Sequence, residues 1–141
     1  MQPLNLAKAK AELEQMLGVQ LERLDPDTVA ALFPGIRWKS IVGWGTASDE
    51  DVSHQTNLDL DLGREGGTIT LVTDPSFYVG GCALSFSPAE LSAASAFHLS
   101  ETNERIFGGG DVLVWSAASS SIWLFHHEGI FAKASCGSLE P

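Results

Sequence analysis

Residues 111–134 read DVLVWSAASSSIWLFHHEGIFAKA, and this stretch decides the fold. It holds three short apolar runs, Asp111 to Ser116, Ser121 to His127 and Ile130 to Ala134, separated by small and turn-forming residues. Each run has the length and the β-branched or aromatic content of a strand. The middle one, Ile122-Trp123-Leu124-Phe125, is apolar on both faces. That suits a central strand flanked by others and covered by helices on one side. Glu128-Gly129 is a short reversal between the second and third runs, so the chain ends in an antiparallel meander.

Upstream of the meander the period alternates between helical and extended. Leu6, Ala9, Leu13, Met16 and Leu17 recur at helical spacing over 5–17, with Asn5 as the cap and Gly18 as the stop. A second short helix is predicted over 26–33, where Asp25 caps, Pro26 starts and Pro34-Gly35 ends. Ile36 to Val42 reads as a strand, and Gly43 to Ser53 as a loop with an acidic tip. Asn57 to Leu62 alternates Leu with Asn or Asp. With a turn at 63–67 and a second alternating run at 68–73, it reads as a hairpin whose outer face, Asp59, Asp61, Thr68 and Thr70, meets water. Phe77 to Phe86 reads as one more strand, interrupted by Gly80-Gly81. Ser87-Pro88-Ala89-Glu90 is a capping box that opens a helix running to Ala96 or Phe97, followed by a polar loop to Gly110. The prediction is one α+β domain over residues 1–141: a mainly antiparallel sheet of about five to seven strands, N-terminal helices and one inserted helix.

Composition narrows the function classes. Hydrophobic residues make up 44% of the chain and charged residues 18%, which excludes a disordered polyelectrolyte. Asp and Glu number 18 against 8 Lys and Arg, for a formal charge of −10. A field of that sign repels nucleic acid and anionic membranes and speeds association with a basic partner; it also serves plain solubility. No secretory signal is visible from Met1 to Lys10, and no apolar run approaches the roughly 18 residues of a membrane span. The expectation is a cytoplasmic protein whose Cys82 and Cys136 are thiols.

No catalytic motif assembles. His126-His127-Glu128 lacks the second histidine one helical turn away that a zinc hydrolase of the HExxH type requires. Adjacent residues of a strand also point to opposite faces, so the two imidazoles are expected not to share a metal. Gly108-Gly109-Gly110 precedes a strand rather than a helix and forms no phosphate cradle. No nucleophile elbow or catalytic cysteine signature is present. The expectation is no catalytic residue, no metal and no cofactor. Trp38, Trp115 and Trp123 fit strand positions, whereas Trp44, between two glycines and beside the acidic tip, could anchor a partner.

The order of elements, with GGDVLVWS at 109–116 and IWLFHHEG at 122–129, resembles small bacterial immunity proteins of contact-dependent growth inhibition or related polymorphic-toxin systems. The likeness lies mainly in residues 108–135. It implies a cytosolic stoichiometric inhibitor, often of a nuclease, without catalysis of its own. The acidic chain would then cover a basic toxin domain, with Trp44, Asp49, Glu50, Asp51, Asp59 and Asp61 as the expected contacts. Glu101 and Glu104 form a competing acidic surface. Two other classes stay open: a small hydrolase or metal-dependent enzyme using His126, His127, Glu128 or His54, and a non-catalytic adaptor or small-ligand domain.

Overall fold

Asn5 and Gly18 act as the sequence requires: the Asn5 side chain accepts from the Ala7 amide, and Gly18 turns left-handed at φ 71°. They bound a helix in a computed structural model that describes residues 1–65, 67–77 and 82–136. The elements in chain order are β1 (Gln2–Asn5), α1 (Leu6–Leu17), α2 (Pro26–Ala30), β2 (Lys39–Ser40), α3 (Asp49–Gln55), α4 (Leu58–Glu65), β3 (Ile69–Thr73), β4 (Cys82–Phe86), α5 (Leu91–Thr102), β5 (Val112–Ser116), β6 (Ser121–His126) and β7 (Ile130–Ser135). Among the described residues seven strands form one sheet, in the order β1-β4-β3-β5-β6-β7-β2. Every neighbouring pair is antiparallel. The α+β class and the antiparallel sheet are as the sequence predicts, and the β5-β6-β7 meander fills three adjacent places in it, with β5 in the middle of the sheet.

Helices cover both faces of the sheet, not one. Val112, Val114, Trp123, Phe125, Ile69 and Leu71 point toward α3, α4 and α5, where Val52, Leu58, Leu62 and Ala94 meet them. Leu113, Trp115, Ile122 and Leu124 point the other way, onto Ala9, Leu13 and Leu17 of α1 and Val29 of α2. The register explains the division, because Val114 faces Trp123 and Trp115 faces Ile122 across the β5–β6 ladder. Each such fully buried side chain contributes roughly 1.5–3 kcal/mol of transfer free energy.

The predicted hairpin over 57–73 does not form. Residues Leu58–Glu65 are the helix α4, and β3 pairs instead with β4 and β5. Leu58 and Leu62, one helical turn apart, are buried, while Leu60 is 52% exposed. With β4 and β5 on its two sides, β3 has no free edge for residues 57–62. Asn57, at φ 58°, makes the break between α3 and α4. Thr70, expected in water, is buried: its hydroxyl donates to Glu12 of α1, which also accepts from Trp115 Nε1. The strand predicted over 36–42 shrinks to β2, two exposed residues at the sheet edge. The helix opened by the Ser87–Glu90 capping box runs on to Thr102, where Asn103 at φ 59° ends it. Among the described residues the inserted α-helices therefore number three, α3, α4 and α5. Gly80 and Gly81 lie outside the described residues, as does Gly66 of the expected turn. Three strands separate β4, which carries Cys82, from β7, which precedes Cys136.

Candidate functional site

The acidic run 49–51 is the first turn of α3, not a loop. Ser48 caps it by accepting from the Asp51 amide, and three carboxylates suit the positive end of a helix. The three then part. Asp49 is only 8% exposed. Its carboxylate accepts from the Ile106 and Phe107 amides at 3.0 and 2.9 Å and from the Ser95 hydroxyl. That carboxylate ties α3 to α5 and to the segment before β5; it is a structural anchor and offers little to a partner. Glu50 and Asp51 are exposed.

Asp59 and Asp61 are not neighbours on a strand face. Residues two apart on a helix diverge by about 200°. Asp59 lies beside exposed His54, its carboxylate 3.6 Å from Nδ1. Asp61 instead meets Lys133 of β7 at 3.3 Å. Trp44 is half-buried in the turn before α3. Its Nε1–H donates to the His127 carbonyl at 3.0 Å, and its side chain closes on Gly129, where any Cβ would come within 3.1 Å of the Trp44 Cβ and 3.2 Å of the ring. Gly129 has φ 86°, so both space and backbone demand glycine there.

A groove of about 590 Å³ lies where α3, α4 and α5 meet. Glu50, Asp59, Leu91, Ser95 and Leu99 are on its walls, with Asp49 beneath. Arg105 is there too, but its guanidinium donates to the carbonyls of Gly45, Thr46 and Ala47. Of the six residues expected to bind a partner, Asp49, Glu50 and Asp59 line this groove and Asp51 shares its helical turn. Trp44 and Asp61 are not among its walls. Glu101 and Glu104 are exposed near the far end of α5, away from it.

The histidine pair departs from expectation. β6 ends at His126, so His127 is released from strand alternation and its ring swings to the same side. The rings stack with centroids 4.1 Å apart and planes 29° apart. His126 is buried. The Glu128 amide donates to its Nδ1 at 3.2 Å, which leaves Nε2–H to donate to Asp27 at 3.3 Å. His127 is exposed; its Nδ1–H and its amide both donate to one oxygen of Asp111, at 2.9 and 2.8 Å. That hydrogen bond to Asp111 raises the His127 imidazole above its ordinary value. Asp111 is held in turn by its amide, which donates to Asp74 at 3.1 Å. Burial raises the Asp74 carboxyl above the usual carboxylate range. One donor atom each from Asp111, His126 and His127 lies within 4.8 Å of the others.

His98 carries no motif in the sequence, yet it is the most internally bonded of the four histidines. Its Nε2 accepts from the Thr73 hydroxyl at 2.8 Å, and its Nδ1–H donates to the Glu104 carbonyl at 2.7 Å. A hydroxyl on an imidazole is the form of an activated nucleophile, but Thr73 is 2% exposed and lies out of a substrate's reach. The pair braces β3 against α5. No helix among the described residues is long and apolar enough to cross a membrane. Compared with family models, curated proteins and solved structures, the chain finds no match.

Proposed function

We propose that the chain is a non-catalytic binding protein, an immunity protein that neutralises a basic toxin domain, a nuclease by preference, through the groove between α3, α4 and α5. The observation that carries this reading is the groove's chemistry. Glu50 and Asp59 stand on its walls, Asp51 stands in the adjoining helical turn, and its cation Arg105 is engaged by backbone carbonyls. Leu99, 48% exposed, adds an apolar surface beside the carboxylates. A lysine or arginine laid across such a surface keeps its stem on leucine and brings its charged head to an acid. Nuclease active sites are basic because they bind polyanions, so a partner that fills them with acidic side chains occludes the substrate. Such a protein acts in the cytoplasm, one copy to each toxin.

The test uses a basic nuclease toxin domain, taken from a toxin gene found beside the gene for this chain. Calorimetry with the parent protein should give a one-to-one complex. Glu50→Lys, Asp51→Lys and Asp59→Lys together should weaken it at least about tenfold, a loss of roughly 1.4 kcal/mol or more. All three side chains are exposed, so their reversal should leave the fold in place. Equal affinity in parent and triple variant would overturn the groove assignment, and absence of any complex would overturn the immunity reading.

A further inference from the structure

Asp111, His126 and His127 offer a chemistry that the acidic groove does not use. We propose that these three side chains hold one divalent transition-metal ion, of the zinc class, at the end of the β5–β6 ladder. Two imidazoles and one carboxylate form a borderline donor set suited to zinc, cobalt, iron or manganese, whereas calcium and magnesium prefer oxygen alone. The distances fit. Zinc bonds to nitrogen and oxygen run about 2.0–2.2 Å, so two donors on one ion stand roughly 3–4.4 Å apart. Asp111 Oδ1 and His127 Nδ1 are already 2.9 Å apart. The whole set spans no more than 4.8 Å, and the His127 side chain, 55% exposed, is free to close the remainder.

The surroundings orient the ligands. Asp111 and His126 lie one step beyond the Val112–Phe125 pair, so the sheet itself sets their separation. The carboxylate of Asp27 takes the Nε2–H of His126 and leaves Nδ1 as the basic nitrogen, whose lone pair accepts the Glu128 amide at 3.2 Å until an ion displaces it. A carboxylate behind a histidine in this way orients the ring and strengthens it as a ligand. The proton that His127 shares with Asp111 sits where the ion would sit. Asp111 also lines a cleft of about 540 Å³ between α1 and residues 22–25. This inference is independent of the groove and stands or falls separately.

The experiment is a titration of the chelator-treated full chain with zinc chloride by calorimetry, and with cobalt chloride by visible absorption. One equivalent should bind, with a cobalt ligand-field band. Asp111→Asn and His127→Gln should each weaken zinc at least tenfold, and Asp27→Asn by about tenfold as an orienting group. His54→Gln, at the other exposed imidazole, should change nothing. Far-UV circular dichroism of His127→Gln controls for folding, since that ring is exposed. Absence of saturable binding would overturn the proposal, as would zinc bound equally well by the parent, Asp111→Asn and His127→Gln.

Discussion

Asp49 shows how a residue chosen for its charge can be spent on architecture. Two backbone amides and a hydroxyl converge on its carboxylate inside the protein. Asp49→Ala leaves the Ile106 and Phe107 amides buried without an acceptor, and the expected loss is about 2–3 kcal/mol of stability in urea unfolding. Glu50→Ala, one residue along and exposed, should move stability by no more than about 0.5 kcal/mol. The sequence shows three consecutive acids and nothing that separates them. Only the segment 104–107, brought beside α3 from over fifty residues away, decides which one turns inward. The same holds for His98, whose partners Thr73 and Glu104 arrive from different elements. His126 and His127 are a finer case: strand alternation predicts opposite faces, and the ladder stops one residue too early for that rule to apply to both.

At the level of the element, α4 is the informative failure. The alternation of Leu58, Leu60 and Leu62 satisfies a strand, but Leu58 and Leu62 also satisfy one helical face. A discriminating signal is present in composition: residues 57–62 contain no β-branched or aromatic side chain, and leucine favours helices. Ser48 followed by three acids is likewise a helix start rather than a loop tip. The two readings of α4 differ in energetics. A half-buried strand would make all three leucines comparable. In the helix, Leu62→Ala should cost about 2–5 kcal/mol and Leu60→Ala close to nothing, measured as shifts in the denaturation midpoint. The meander over 111–135 is legible because local period, length and turn chemistry all agree there. α1 and the Ser87–Glu90 capping box are legible for the same reason. The box is firm enough that hydrogen bonds from Ser87, with the Met1 ammonium adding to them, hold the exposed Glu90 carboxyl down to about 2.

For the whole molecule, the decisive feature is a sheet apolar on both faces with an acidic exterior. Two helical layers cover both apolar faces of the sheet, and the proposed recognition falls to the acidic groove between α3, α4 and α5. With a formal charge of −10, association with a basic partner should be strongly screened. Its rate constant should fall about tenfold or more between 0.01 and 0.15 M salt, as the Debye length shortens from about 30 to 8 Å; stopped-flow measurement checks this. The proposed partner face is legible only in part, because the acids stand out in the sequence and their grouping does not. The two ends of the sheet carry a further consequence. One rim is β1, with Pro3 in it, and the other is β2, two residues long and bearing Lys39. Proline lacks an amide hydrogen, and so short a rim with a lysine on it is a poor template for another chain. Fibril growth and recognition by strand addition at these rims are thereby both discouraged.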